Sequence, residues 1–214
     1  MVHARGKFIT VEGIEGAGKS SNLDFIQRML EVSGLKVVRT REPGGTPLGE
    51  EIRDLLLSLR HSGMSQNSEL LLMFAARSEH IDRVIEPALT SGSWVLCDRF
   101  TDASYAYQGG GRGIACERIA VLERWAQGEV RPDLTLLLDL PVAEGLARAG
   151  ERSEPDRFEI EQQQFFHRVR ARYLEIAAAS PERVRVVDAS LPLPLVQQQI
   201  GELVSVFIRA SLGD

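Results

Sequence analysis

The stretch Phe8-Ile9-Thr10-Val11-Glu12-Gly13-Ile14-Glu15-Gly16-Ala17-Gly18-Lys19-Ser20 is an apolar run that breaks into glycines and ends in Lys-Ser. Its first five residues are typical of a buried strand, and a pattern with helical spacing follows Ser20. Four residues separate Gly13 from Gly18-Lys19-Ser20, the spacing of a loop that binds nucleotide phosphates. The alternative is a glycine-rich turn with a solvated lysine, and the flanking strand and helix argue against it.

Each residue type in this loop suits phosphate chemistry. Gly13, Gly16 and Gly18 place no Cβ between the backbone N–H groups and phosphate oxygens. A helix that begins near Lys19 adds its positive end. Lys19 can reach the β- and γ-phosphates, and the Ser20 hydroxyl can bind Mg²⁺. The stretch therefore predicts a site for a nucleotide with its magnesium ion.

Composition limits the possible partners. The chain has 214 residues, of which 43% are hydrophobic and 26% charged, as in ordinary globular proteins. A net charge of -5 argues against binding to nucleic acid and favours a small molecule. Two cysteines, Cys97 and Cys116, make no disulfide framework, and no apolar window is long enough to span a bilayer. We expect a cytoplasmic protein without membrane association.

Hydrophobic patterning predicts the fold class. Five short apolar runs alternate with helical patterns, at residues 8–12, 35–40, 93–98, 134–139 and 184–188. Such alternation is typical of an α/β fold with a mainly parallel sheet covered by helices on both faces. No linker or repeat interrupts residues 1–214, which predicts a single domain. Polar clusters follow the strand ends, where ligands of such sheets gather.

Two helical segments are important for the site. The longest pattern runs from about Asn67 to Thr90, with Arg77 on the same stripe as its apolar residues. Thr101 to Tyr107 is predicted to be irregular or a short helix, and the run Gln108-Gly109-Gly110-Gly111-Arg112-Gly113 follows it.

Asp98 is the candidate carboxylate for the metal. It ends an apolar strand and would therefore reach the phosphate side of the sheet. Asp139 and Asp188 also end strands, so position alone is not specific. Arg99 beside Asp98 favours this site, because a guanidinium fork suits the phosphate of a second substrate. The alternative is an ordinary surface pair of Asp98 and Arg99.

Phe74 and Arg77 stand three residues apart and thus share one helix face. An arginine among apolar residues needs a partner or a cavity, because its unpaired burial is costly. Phe74 could stack on a nucleobase while Arg77 donates to a carbonyl on its edge. The alternative, a core phenylalanine with a snorkelling arginine, is the one that helix geometry alone favours.

Taken together, four ordered motifs resemble the bacterial thymidylate kinase family. They are residues 13–20, Arg41-Glu42-Pro43-Gly44-Gly45-Thr46, Asp98-Arg99-Phe100 and residues 106–113. Residues 156–159 and 170–174 extend the likeness, which spans about residues 7 to 180. The resemblance implies a three-layer P-loop NTPase fold and a homodimer. It also implies transfer of the γ-phosphoryl group of MgATP to dTMP, which yields dTDP and ADP.

The resemblance implies how the base of dTMP would be bound. Phe74 would stack on thymine, and Arg77 would donate to thymine O4, where cytosine carries an amino donor. Ser104 and Gln108 correspond to positions near the thymine N3 edge. Tyr107 corresponds to a residue that crowds a ribose 2′-OH.

The sugar and the acceptor phosphate have their own implied partners. Glu15 resembles a carboxylate that approaches the 3′-OH of dTMP. Arg53 and Arg99 correspond to ligands of the acceptor phosphate, and Glu42-Pro43 lines the same cleft. The loop that binds the phosphates of ATP would comprise Gly13, Ile14, Glu15, Gly16, Ala17, Gly18, Lys19 and Ser20.

A polar segment from about residue 148 to 158 is predicted to be a mobile lid, because it lacks an apolar anchor. By the resemblance, Arg152 in this lid would reach the transferring phosphates, since residues 15–17 contain no arginine. Arg148 would also bind ATP, and Arg148 and Arg157 are the alternatives to Arg152. Catalysis would depend on alignment and on charge neutralisation by Mg²⁺, Lys19, Arg99 and Arg152.

Other functions share some of these sequence features. A P-loop kinase for another nucleoside monophosphate or a deoxynucleoside would share the fold and differ in its base pocket. A nucleotide-dependent switch is disfavoured because neither Asn22 nor Asn67 is followed by lysine, so the guanine-binding Asn-Lys-x-Asp motif is absent. An inactive relative is disfavoured because all the expected site residues are present, namely Lys19, Ser20, Asp98 and Arg99.

Overall fold

A computed structural model of the chain describes residues 5–150 and 156–213. Its centre is a five-stranded sheet in the order β2-β3-β1-β4-β5, and every strand pairing is parallel. The strands are β1 (Phe8–Glu12), β2 (Val37–Arg41), β3 (Trp94–Asp98), β4 (Leu134–Asp139) and β5 (Val184–Asp188). The predicted α/β class with a mainly parallel sheet is confirmed.

Helices connect consecutive strands, as parallel pairing requires. In chain order they are α1 (Lys19–Val32), α2 (Pro47–Leu57), α3 (Gln66–His80), α4 (Glu86–Thr90), α5 (Thr101–Ser104), α6 (Cys116–Gln127), α7 (Val142–Gly150), α8 (Gln163–Ala179) and α9 (Leu193–Leu212). In the part of the chain that the structure describes, no helix combines the length and apolar character needed to cross a membrane.

Both faces of the sheet are buried, and neighbouring strand residues point to opposite faces. Ile9 of β1 and Leu96 of β3 belong to one core cluster, whereas Phe8 and Val95 belong to another. All four side chains are fully buried. This explains why the strands appear in the sequence as short continuous apolar runs.

Strand β2 begins two residues later than its predicted start at Leu35. The backbone N–H of Leu35 donates to the carbonyl of Leu30, so this residue closes the end of α1 instead of pairing in the sheet. Pairing with β3 extends from Val37 opposite Trp94 to Arg41 opposite Asp98. The end of β2 therefore lies beside the end of β3.

The helix predicted from about Asn67 to Thr90 is divided by a π-helical turn at Ile81–Ile85. Arg77 lies on the buried face, as predicted. Past the turn, Ile85 is fully buried while Val84 is only partly buried.

The helical segment that starts at Thr101 does not end at Tyr107 but continues as a π-helix through Gly111. Packing against α8 explains the glycines. A Cβ on Gly110 would lie 2.8 Å from the Arg168 carbonyl oxygen, and one on Gly111 would lie 2.4 Å from the Phe165 ring. These glycines allow two helices to approach closely, which sequence patterning did not reveal.

Candidate active site

A cavity of about 250 Å³ opens where β1 and β3 end. Most of the predicted site residues line it, although they come from distant parts of the chain. They are Glu15, Gly16, Ala17, Gly18, Lys19, Ser20, Glu42, Pro43, Arg53, Arg77, Asp98, Arg99, Ser104, Tyr107 and Gln108. The phosphate-binding loop and the predicted acceptor site thus share one cavity.

The loop after β1 requires glycine for close approach to neighbouring backbone. At Gly16, where φ is 72°, a Cβ would lie 1.8 Å from the Gly145 carbonyl oxygen of α7. Lys19 Nζ donates to the carbonyls of Gly13 and Ile14, at 3.2 and 3.1 Å. Burial and the nearby Arg99 lower the pKa of Lys19. The lysine is therefore held across its own loop, at the start of α1.

Arg99 and Glu15 form the centre of the cavity's charge network. Arg99 NH2 donates to Glu15 Oε1 at 2.8 Å and to the Gly13 carbonyl at 3.2 Å. The Tyr107 hydroxyl donates to the same Glu15 oxygen at 2.9 Å. Burial alone would raise the pKa of Glu15, but Arg99 and Lys19 lower it to about 2. Glu15 is consequently ionised at neutral pH.

Arg53 approaches this network from α2. Its NH1 donates to the Pro43 carbonyl at 2.9 Å. Burial lowers the pKa of Arg53, and repulsion from Arg41 and Arg99 lowers it further. An anion placed between Arg53 and Arg99 would relieve this repulsion, which suits the predicted acceptor phosphate.

In the structure, the three carboxylates at strand ends have different hydrogen-bond partners. Both oxygens of Asp139 are occupied by Arg170, at 2.7 and 2.9 Å. Asp188 is exposed and accepts from Ser190. Asp98 Oδ1 is buried and receives no hydrogen bond from the described residues. Only the Asp98 carboxylate of these three lines the cavity, where a cation could complete its coordination.

This donor set fits magnesium. The described residues contain no cluster of three His, Cys, Asp or Glu side chains that would form an all-protein metal site. Mg²⁺ usually has one or two protein ligands and takes the remainder from phosphates and water. Ser20 and Asp98, both on the cavity, match that requirement.

Arg77 is buried and held by three partners. It donates to Glu42 at 2.7 Å, to the Ser104 hydroxyl at 3.0 Å and to the Phe100 carbonyl at 3.1 Å. Its guanidinium carbon lies 4.7 Å from the centre of the Phe74 ring. Arg77 therefore does not snorkel to solvent. Phe74 packs in a small apolar cluster and does not itself line the cavity.

Sequence reasoning missed the buried carboxyl of Glu12, directly before the loop. Glu12 accepts hydrogen bonds from the Phe100 N–H and the Tyr173 hydroxyl, both at 2.7 Å. Burial and the nearby Asp102 raise the pKa of Glu12 to about 8. The bond to Phe100 anchors the backbone next to Arg99, whose φ is 66°. An acidic residue that ends an apolar run was the available signal.

The predicted lid arginines have different positions. Arg152 lies outside the described residues. Arg148 donates to the carbonyls of Ala189 and Ser190 and does not line the cavity.

Arg157, an alternative to Arg152, is buried among groups outside the cavity. It donates to the Leu56 carbonyl and to Glu69, both at 2.7 Å. Its side chain is 3% exposed. The Arg157 guanidinium therefore anchors the last residues of the predicted lid to α2 and α3 and does not line the cavity. That Arg157 could reach the transferring phosphate stays a prediction.

Known proteins resemble the chain over nearly its whole length. The family model described as thymidylate kinase matches residues 11–200. A thymidylate kinase of Pseudomonas putida is 58% identical over 208 residues, which cover 97% of this chain and 99% of the relative. One from Alkalilimnicola ehrlichii is 59% identical over 199 residues, 92% of each chain.

A solved structure also matches the fold. The thymidylate kinase from Ehrlichia chaffeensis superposes with a TM-score of 0.76 at 34% identity. The match covers 94% of this chain and 99% of that one. With the family model, the sequence relatives and this structure in agreement, the chain belongs to the thymidylate kinase family.

Proposed function

We propose that the protein transfers the γ-phosphoryl group of ATP to dTMP. A phosphate oxygen of dTMP forms a bond to the γ-phosphorus while the bond to the β-phosphate oxygen breaks, which yields dTDP and ADP. The observation that carries this proposal is the common cavity of the phosphate-binding loop and the Arg53–Arg99 anion site. Two phosphorylated substrates can therefore meet there, and the names of the relatives identify the acceptor.

The acceptor phosphate is assigned to Arg53 and Arg99. Both line the cavity, and repulsion between them favours an anion at that position. Glu15 holds Arg99 in place and, with Tyr107, is assigned to the sugar. Because a phosphate oxygen is already anionic, no general base is needed, and catalysis depends on alignment and charge neutralisation.

Mg²⁺ is assigned to Ser20 and Asp98, directly or through water. When bound, the ion neutralises charge on the phosphates and orients them. Lys19, at the start of α1, supplies a further cation to the β- and γ-phosphates. The unsatisfied Asp98 oxygen supports this assignment.

The base is assigned to the end of the cavity formed by Arg77, Ser104 and Gln108. Arg77 lies against Phe74, and Glu42 with Pro43 borders the same space. Stacking of Phe74 on the base stays a prediction from the family resemblance, because the Phe74 ring does not line the cavity in this structure. ATP is assigned to residues 13–20, Arg148 and Arg152.

We also propose that the chain is one catalytic domain that works as a cytoplasmic homodimer. Exposed apolar side chains on neighbouring helices support an interface, among them Leu55 of α2, Leu71 of α3 and Trp125 of α6. The free thiols of Cys97 and Cys116 suit a reducing compartment. Sedimentation of the purified chain would test the dimer.

An assay of ADP release with MgATP and a panel of acceptors tests the function. The panel contains dTMP, dUMP, UMP, CMP, AMP, GMP and thymidine. We expect the highest turnover with dTMP, less with dUMP and almost none with UMP. Preference for another acceptor would overturn the base-pocket assignment, and ATP binding without any turnover would favour a nucleotide-dependent switch.

A further inference from the structure

A buried carboxylate, Glu69, lies behind the base-binding end of the cavity. It belongs to the first turn of α3 and is 1% exposed. Its Oε1 accepts from Gln108 Nε2 at 2.9 Å and Arg112 Nε at 3.2 Å. Its Oε2 accepts from Arg112 NH2 at 3.1 Å and Arg157 NH1 at 2.7 Å. Four hydrogen bonds fill the accepting capacity of a carboxylate.

This arrangement determines which end of the Gln108 amide meets the cavity. An ionised carboxylate can accept hydrogen bonds but cannot donate them. If the Gln108 amide were reversed, its oxygen would face the Glu69 oxygens without a proton between them, at the cost of a buried unsatisfied group. The Nε2 group must therefore point to Glu69, and Oε1 points away from it.

Gln108 Oε1 is available to a ligand. Gln108 is 1% exposed and lines the cavity. Across residues 5–150 and 156–213, no protein donor forms a hydrogen bond to this oxygen. A carbonyl oxygen that lacks a protein donor at the wall of an open site favours a ligand that brings a donor.

We propose that Glu69 is a positioning residue for base selection, which fixes the Gln108 amide so that its carbonyl faces ring position 3 of the nucleobase. Thymine and uracil carry an N3–H donor there, whereas the N3 of cytosine is an acceptor. The proposal rests on the proposed function, because it needs a pyrimidine nucleotide in this cavity. The position of Gln108 near the N3 edge is the one implied by the family resemblance, and the inference adds the residue that fixes the orientation of its amide.

Two arginines hold the carboxylate in place. Arg112 donates to both oxygens of Glu69, and Arg157 donates to Oε2. Arg157 is itself tied to the Leu56 carbonyl at 2.7 Å. Arg112 also pairs with Glu161, which does not contact Gln108. These contacts hold the Glu69 carboxylate in one orientation, so it cannot rotate together with the Gln108 amide.

The test compares dUMP with its 3-deaza analogue, a hydroxypyridone that has a C–H group in place of N3–H and a hydroxyl at ring position 4. The change at position 4 is the same for every protein variant, so the change in preference between variants isolates the contact at position 3. Calorimetry on the wild-type protein should show dUMP binding about tenfold more tightly, as expected when a buried acceptor loses its donor. Equal affinities for the two nucleotides would overturn the proposal without any variant.

Glu69→Gln tests the positioning role. A glutamine at position 69 can donate as well as accept, so the Gln108 amide can adopt either orientation. We expect the preference for dUMP over the analogue to fall to about twofold. Equal weakening of both ligands, with the ratio kept, would mean that Glu69 has only a structural role.

Two further variants complete the design. Glu161→Gln removes a carboxylate from the same arginine cluster and should keep the tenfold preference. The exchange Glu69→Gln with Gln108→Glu conserves the cluster's charge and again presents an acceptor to position 3, so it should restore the preference. A preference that stays near twofold in a folded exchange variant would contradict the proposal. If Glu69→Gln alone does not fold, the exchange variant provides the test.

The results separate this inference from the proposed function. If neither dTMP nor dUMP binds to the wild-type protein, the proposed function fails. If both bind and dTMP is phosphorylated, but the 3-deaza analogue binds equally well, only the role of Glu69 fails.

Discussion

The guanidinium of Arg99 donates to the carboxylate of Glu15 at 2.8 Å, which joins the residue after β3 to the phosphate-binding loop. Arg99 adopts a φ of 66°, which is uncommon for a residue with a side chain. The contact to Glu15 and the Glu12 bond to the next residue's N–H hold it there. The acceptor site and the donor site are thus built as one unit.

Arg99→Ala should reduce kcat by about 10³-fold, because it removes a charge placed where the phosphoryl group is transferred. Steady-state ADP release with saturating dTMP measures this. Arg170→Ala is the matched control, since Arg170 pairs with the strand-end carboxylate Asp139 and does not line the cavity. Turnover of the control should stay near the wild-type value, and an equal loss in both variants would contradict the assignment.

Asp98→Asn should increase the Mg²⁺ concentration needed for half-maximal activity by about 10- to 100-fold, because it weakens a ligand or its immediate partner. A magnesium titration at fixed ATP gives this value. The equivalent change Asp188→Asn affects an exposed strand-end carboxylate and should leave the titration unchanged. An Asp98→Asn enzyme with a wild-type magnesium requirement would remove Asp98 from the metal site.

Arg152→Ala should lower turnover by about 10³-fold with only a modest change in dTMP binding, in the range of an arginine finger. Arg148→Ala should mainly raise the KM for ATP. Kinetics with each substrate varied in turn separate the two effects. Near-normal turnover of Arg152→Ala would show that this lid arginine does not act on the transferring phosphate.

Glu12 should make stability depend on pH. Its pKa is about 8 in the folded protein, against an ordinary value of 4.5. The folded state thus keeps a proton that the unfolded state has released, and the stabilising contribution present below about pH 4.5 is lost as the pH rises to about 8. The free energy of unfolding should fall by up to about 1.4 kcal/mol per pH unit in this window.

Comparison with Glu12→Gln isolates that contribution, because other titrating groups are common to both proteins. The variant can still accept from the Phe100 N–H, and it should lack this part of the pH dependence. Urea unfolding at several pH values from 5 to 8 would show it. Parallel stability profiles for the two proteins would mean that the Glu12 carboxyl is ionised in the folded state.

Gly110→Ala should destabilise the protein by about 1–3 kcal/mol, because the added methyl group would lie 2.8 Å from the Arg168 carbonyl oxygen. Gly150→Ala is the control: among the described residues, no atom outside its own helix turn and chain neighbours lies within 4 Å of its Cβ position, and the backbone there is helical. It should be neutral or stabilising by up to about 1 kcal/mol. Urea unfolding of both variants measures the difference.

Much of the candidate site could be predicted because its members follow strand ends. Parallel strands end at one edge, so Lys19, Asp98 and Arg99 had to lie near each other once five strands were recognised. The order of the strands was not predicted, nor was the contact between Arg99 and Glu15. Each depends on pairings between distant segments that local patterning does not record.

The sequence alone also could not decide which strand-end carboxylate belongs to the metal site. In sequence, Asp98, Asp139 and Asp188 are equivalent strand-end residues. In the structure, Arg170 of α8 occupies Asp139, while Asp98 retains a buried oxygen without a protein partner. The distinction depends on Arg170, which is 31 residues away from Asp139 in the chain.

The sequence by itself determined the α/β class, the phosphate-binding loop and the family resemblance, because these depend on residue periodicity and on short spacings along the chain. Only the tertiary structure decided that Glu12 is buried, that the glycines at 110 and 111 permit helix packing, and that Glu69 orients Gln108. Burial and hydrogen-bond partners across long sequence separations are properties of the packed chain, and they determine which polar groups remain available to a ligand.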